Sequence, residues 1–207
     1  MDRPVCIVKG MSTERPQGSA RERLLAAATE LFYAEGIHTV GIDRVIARAG
    51  VAKASLYSTF GSKDELVRAY LEDRAAARRT RYTERLARHA DPRDRILALF
   101  DLLAESVVSP SYRGCAFMNA SAEGPRDESP VTQVARDTRS WVRGLLIELA
   151  REAGAGDPER VGRQIVLLYD GAAIGAAMDR DPAAVVRARE MAATLLAGAC
   201  PAPAAAP

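Results

Sequence analysis

Lys53, Ser55, Tyr57 and Ser58 stand together in the stretch AGVAKASLYSTFGSKDEL, and their types suit contact with a nucleic-acid duplex. Lys and Ser reach phosphates or base edges, a Tyr hydroxyl or ring meets a phosphate or a thymine methyl, and small neighbours such as Ala54 let the backbone come close. Gly50-Val51 and Gly61 bound the segment, so its helix has barely two turns. A helix that short gains little from its own hydrogen bonds and must be held by its neighbours. Leu56 and Phe60, four apart, point inward toward Ile42, Val45, Ile46 and Ala49 of a short preceding helix. Two helices joined at Gly50 in this way form a helix-turn-helix, in which the first braces the second for entry into the major groove. Lys63 stands at the next helix start, where free N–H groups favour another phosphate. The same spacing also fits an ordinary amphipathic helix, with Tyr57 half buried as a boundary residue.

Other chemistry finds little material. The 207 residues hold only two histidines, His38 and His89, and three cysteines, Cys6, Cys115 and Cys200, at spacings that suggest neither a zinc site nor a disulfide framework. Neither His has a Ser or Cys partner nearby in the chain, and Asp170 and Asp179 read as helix-end residues, so an enzyme is not expected and no metal or cofactor is called for. A formal charge of +2 does not announce nucleic acid, so any basic surface must come from local placement. No apolar run approaches the roughly 20 residues needed to span a bilayer and no signal core is present, which points to a cytoplasmic protein with no membrane partner.

The elements that position these residues are helices. The chain is 48% hydrophobic and only 5% aromatic, rich in Ala, Leu, Arg and Glu, which predicts an all-α fold. Asp91-Pro92, Ser129-Pro130, Asp157-Pro158 and Asp181-Pro182 each pair a cap oxygen with a Pro suited to the first helical turn. Capping boxes at Ser19/Glu22 and Ser62/Glu65 add two more starts. Helices are expected over 20–35, 42–49, 53–60, from 62 toward 89, from 92 to before Ser109-Pro110, over 112–123, 130–153, 158–178 and 182–197. Residues 1–18 read as a disordered leader with a second candidate start at Met11, and the Pro-Ala tail 199–207 as a disordered end. The domains expected between them are a helix-turn-helix head, 19–66, and a larger helical domain, 67–198.

Residues 20–69 resemble the DNA-binding domain of the TetR/AcrR family of bacterial transcriptional regulators. The likeness rests on AAxxLFxxxG in the first helix, AGV at the turn, LYxxF in the third helix and SKxEL opening the fourth, all in register without a gap. The resemblance implies base-reading roles for Lys53, Ala54 and Ser55, phosphate contacts for Tyr57, Ser58, Thr59 and Lys63, and a weaker phosphate contact for Thr39. Ala52 and Gly41 depart from the family by lacking the hydroxyl that often caps these two helices, and Thr59 stands where many members have His. Asp43 would repel a phosphate and is given no DNA contact.

The resemblance further implies a homodimeric regulator, a repressor that binds a palindromic double-stranded DNA operator and is released by a small-molecule inducer. Candidate pocket residues are Phe100, Leu103, Cys115, Met118, Asn119, Trp141 and Tyr169; most of these types belong more often to a plain core, Asn119 is the more informative because a buried amide requires partners a ligand could supply, and Cys115 is expected to be structural. The segment YRGCAFMNASAE also resembles a stretch found in part of the family. Gly171 and Gly175, four apart among alanines, together with Val185, Met191 and Leu195, offer a dimer face, although such small residues also pack within one subunit. Arg74, Arg78, Arg79, Arg81, Arg85 and Arg88 are expected on a solvated face of the fourth helix, paired as Arg81 with Glu84 or Glu84 with Arg88, with only Arg68 near the DNA end. The alternative function is a helical protein-binding adaptor that has lost DNA recognition.

Overall fold

In the computed structural model the described residues are 18–123 and 129–200. Among them the chain forms nine helices and no strand: α1 (Ala20–Glu35), α2 (Ile42–Ala49), α3 (Lys53–Phe60), α4 (Lys63–Leu86), α5 (Pro92–Val107), α6 (Ala116–Glu123), α7 (Pro130–Glu152), α8 (Pro158–Asp179) and α9 (Ala183–Ala199). The all-α expectation holds. The expected leader to residue 17, its alternative start at Met11 and the tail 201–207 lie outside the described residues.

Local chemistry sets most helix starts. Ser19 Oγ accepts from the Glu22 N–H while a Glu22 carboxylate oxygen accepts from the Ser19 N–H at 2.7 Å, a complete capping box. At α4 only half of the box forms: Ser62 Oγ accepts from the Glu65 N–H, but the Glu65 carboxylate turns to Arg68. Asp91, Ser129 and Asp157 cap α5, α7 and α8 ahead of their prolines. At Asp181-Pro182 the cap lies one residue later, because Asp181 Oδ1 accepts from the Ala183 N–H and α9 opens at Ala183.

Other boundaries also differ from expectation. α4 stops at Leu86, short of His89, whose carbonyl instead accepts from Arg95 Nε. α6 opens only at Ala116 because side chains occupy the backbone before it: Tyr33 Oη donates to the Gly114 carbonyl and accepts from the Arg113 N–H, and Asn119 Nδ2 donates to the Arg113 carbonyl. The expected disordered tail from 199 is corrected at its first two residues. Ala199 completes α9, and Cys200 is buried with its carbonyl accepting from Arg93 Nη2 at 2.6 Å.

Two apolar cores result. One joins Leu24, Phe32, Val45, Leu56, Leu66, Tyr70 and Leu71 of the first four helices to Ala116, Phe117 and Ala120 of α6 and to Val131 and Ala135 at the start of α7. The other gathers Ile96, Leu99, Phe100, Leu146, Ile165, Ala192 and Leu196 from α5, α7, α8 and α9, with Tyr82 from the far end of α4. α4 therefore belongs to both. At 1.5 Å per residue its 24 residues reach about 36 Å, the distance over which it ties the head to the larger domain.

α7 and α8 approach closely at Gly162. A methyl group added at Gly162 would lie 2.6 Å from Ile147 Cγ1 and 2.8 Å from its Cα, so backbone itself would have to move. Alanine is intrinsically better than glycine inside a helix by about 1 kcal/mol, but overpacking a tight contact costs about 1–3 kcal/mol. Gly162→Ala is accordingly expected to lower the thermal unfolding midpoint followed by circular dichroism. Gly144→Ala, in α7 with open space around it, is expected to raise it.

Candidate nucleic-acid interface and ligand cavity

α3 is held from one side only. Leu56 is fully buried, Phe60 packs at the edge of the head core beneath the Arg21 guanidinium, and Val45 and Ala49 of α2 close against them. Burying a Leu side chain is worth about 1.5–3 kcal/mol, which an eight-residue helix cannot gain from its own hydrogen bonds. The turn before it is fixed at Gly50, whose φ of 61° is left-handed and ends α2. Arg23 of α1 donates to the Gly50 carbonyl, and Arg44–Glu35 and Arg48–Glu30 pairs brace α2 against α1.

The opposite side of α3 is open. Lys53, Ala54, Tyr57, Ser58 and Thr59 are exposed, Tyr57 at 47%, and Ser55 is half-buried. Thr39 is exposed just ahead of α2, and Lys63 is half-buried in the first turn of α4. Neither Gly41 nor Ala52 supplies a side-chain cap, so α2 and α3 begin with free N–H groups. Asp43 has a role unseen in the sequence: its carboxylate holds Lys53 Nζ at 2.9 Å, and this hydrogen bond keeps the Lys53 ammonium above its usual pKa. Ser58 Oγ turns back to the Ser55 carbonyl. The face thus presents small polar side chains, one aromatic and one cation shared with an acid.

The larger domain contains a cavity of about 690 Å³ between α4 and the facing helices α5 to α8. Leu103, Cys115, Met118 and Tyr169 line it. Three other candidates do not. Phe100 is wholly buried in the core with its ring edge against Tyr169, Trp141 packs instead on Tyr82 and Arg79, and the Asn119 amide is spent on the Arg113 carbonyl. Tyr82 and Tyr169 share a 2.7 Å hydrogen bond between their hydroxyls. Burial raises both phenols above their ordinary pKa, against the pull of the Arg78 charge.

The expected solvated arginine face of α4 is corrected here. Arg74, Arg78 and Arg81 face the cavity, and Arg81 and Arg85 pair with Glu105 of α5, not with Glu84. The Arg78 guanidinium lies 4.7 Å from the centre of the Phe117 ring and 3.6 Å from Cys115 Sγ; Arg74 lies 4.2 Å from that of Tyr33. A signal for this existed, because Tyr70, Arg74, Arg78 and Tyr82 repeat every four residues and so share one stripe of the helix, whose two tyrosines are buried.

The dimer candidates divide likewise. Val185 is 1% exposed and belongs to the subunit's own core, Leu195 packs against that core, and Gly175 faces Ala184 of α9. Gly171 and Met191 lie outside, beside residues the sequence reading passed over: Leu167, Ile174 and Met178 on α8, spaced along one face. Among the described residues no helix is long and apolar enough to cross a membrane, and no group of three His, Cys, Asp or Glu is placed to hold a metal.

Comparison with known proteins agrees with this architecture. The family described as bacterial regulatory proteins, tetR family, matches residues 24–70. The transcriptional repressor NemR of Escherichia coli K12 is 31% identical over 176 residues, spanning 77% of this chain and 85% of its own. The transcriptional activator FasR of Mycolicibacterium smegmatis is 46% identical over 57 residues, 28% of this chain and 26% of FasR. A TetR-family transcriptional regulator from Streptomyces coelicolor has a crystal structure that superposes with a TM-score of 0.83 at 36% identity, covering 87% of this chain and 96% of that one. With a relative of this identity spanning both domains, and with an exposed third helix braced by two others, the chain belongs to the TetR family of DNA-binding transcriptional regulators.

Proposed function

We propose that the protein is a cytoplasmic repressor that binds a palindromic operator as a homodimer and leaves it when a small molecule fills the cavity of the larger domain. The observation that carries this reading is the outer face of α3, where Lys53, Ala54, Ser55, Tyr57, Ser58 and Thr59 surround a helix anchored only by Leu56 and Phe60. Lys53, Ala54 and Ser55 read base edges in the major groove; Tyr57, Ser58, Thr59, Lys63 and Thr39 meet phosphates. Asp43 holds Lys53 in the free protein and gives it up to the duplex. Repression is favoured over activation because the repressor NemR matches along most of the chain, whereas the activator FasR matches over only 57 residues of it.

Two physical connections support coupling between cavity and head. α4 carries cavity residues Arg74 to Tyr82 on the same rigid helix whose first turn bears Lys63. α6 lines the cavity with Phe117 and Met118 and ends at Glu123, whose carboxylate accepts from the His38 N–H at 2.9 Å, next to Thr39. A ligand that moves α4 or α6 changes the separation of the two recognition helices in a dimer, which must match half-sites about 34–36 Å apart. The dimer itself is drawn from α8 and α9, where the large apolar side chains Leu167, Ile174, Met178, Val186 and Met191 are 41–79% exposed.

Genomic fragments selected by the purified protein supply the operator for a mobility-shift assay. Lys53→Ala and Tyr57→Ala are each expected to weaken operator binding about tenfold or more without changing the helical circular dichroism, and unchanged affinity would remove α3 as the recognition element. Sedimentation at micromolar concentration is expected to give twice the chain mass of 22.3 kDa, and Leu167→Glu combined with Met191→Glu to give the monomer. A monomeric wild type would overturn the dimer.

A further inference from the structure

Arg78 is a cation facing a cavity without a counter-ion among the described residues. Its guanidinium contacts the Phe117 ring and the Cys115 thiol, a weak acceptor, and among the described residues no carboxylate pairs with it. Its neighbours on α4 are treated differently: Arg68 is held by Glu65 and Glu72, and Arg81 and Arg85 by Glu105. Across the cavity Asp170 is taken by Arg139, and Asp73 of α4 itself, at the cavity wall, is solvent-exposed. Arginine cannot shed its proton to escape burial, and among the described residues the Cys115 sulfur is the one hydrogen-bond acceptor its guanidinium finds. Arg74, one turn away, is also without a carboxylate and lies over the rings of Tyr33 and Tyr70.

The rest of the wall limits what such an anion can be. Leu103, Phe117, Val142 and Val166 are apolar, and the volume falls within the range of about 300–1,000 Å³ typical of sites for drug-sized molecules, far more than an inorganic ion fills. The Tyr82–Tyr169 hydrogen bond uses one hydroxyl proton and leaves the other to donate. A guanidinium fork matches the two oxygens of a planar carboxylate. We propose that the cavity takes an amphiphilic carboxylic acid, its carboxylate on Arg78 with Arg74 beside it and its apolar body against Leu103, Val142 and Val166. The proposal deepens, and rests on, the reading of the cavity as the ligand site of the regulator.

Calorimetric titration of the full chain with decanoate, decanol and decylamine, below their aggregation concentrations, tests it. Decanoate is expected to bind about tenfold or more tightly than decanol, the usual difference made by hydrogen bonds to a charged group, and decylamine to be excluded. Arg78→Gln should bring decanoate down to decanol while leaving decanol unchanged, and Arg78→Lys should retain part of the preference. Equal binding of decanoate and decanol to the wild type overturns the proposal, and this arm holds even if Arg78→Gln fails to fold. So does an acid preference that survives Arg78→Gln in a protein with wild-type circular dichroism. Operator mobility shifts with decanoate separate the two ideas: Arg78-dependent acid binding that leaves the DNA complex intact supports the anion site and overturns release by ligand.

Discussion

Burial of one face of α4 in two separate cores is the interaction on which the rest of the molecule depends. Leu66, Val67, Tyr70 and Leu71 belong to the head, and Tyr82 to the larger domain, yet all lie on one helix of 24 residues. A helix resists bending far more than a loop does, so displacement at one end is carried to the other. The head core is itself completed by α6 and the start of α7, which means that the DNA-binding unit is built partly from residues more than forty positions beyond it in the chain. A boundary near residue 66 divides the sequence more cleanly than it divides the packing.

Charge on α4 follows the same geometry. Some guanidinium groups on this helix find carboxylates: Glu65 and Glu72 for Arg68, Glu105 for Arg81 and Arg85. Exposed pairs of this kind contribute little to stability and chiefly fix where side chains point. Where the same helix meets the cavity, Arg74 and Arg78 are received by aromatic faces and a thiol. Cation–π contact partly replaces hydration there but supplies no acceptor for the N–H groups. Lys53 and Asp43 form a third case, an exposed pair between α3 and α2 in which the acid orients the base.

α3, like α2, lacks the local support that several other helices have. α1, α4, α5, α7 and α8 each begin with a side-chain cap, whereas α2 and α3 begin at Gly41 and Ala52 without one. Loss of a cap typically costs about 1 kcal/mol, a sum readily offset by burying Leu56 and by the Arg23 contact to the Gly50 carbonyl.

What the sequence determined by itself was local. Ser19, Ser62, Asp91, Ser129 and Asp157 name helix starts because a cap needs only a side-chain oxygen and the N–H groups two or three residues on. The periodicity of Leu56 and Phe60 assigned the inner and outer faces of α3 for the same reason: four residues make one turn. Tertiary packing decided the rest. Whether Val185 or Met191 lay outside, whether Phe100 or Leu103 bordered a void, and whether Arg78 faced water or a cavity depended on which helix lay opposite, and those helices are separated from one another by tens of residues. An arginine stripe reads alike in a string of letters whether Glu105, Phe117 or solvent stands across from it; only the fold supplies the neighbour, and the neighbour sets what the charge can do.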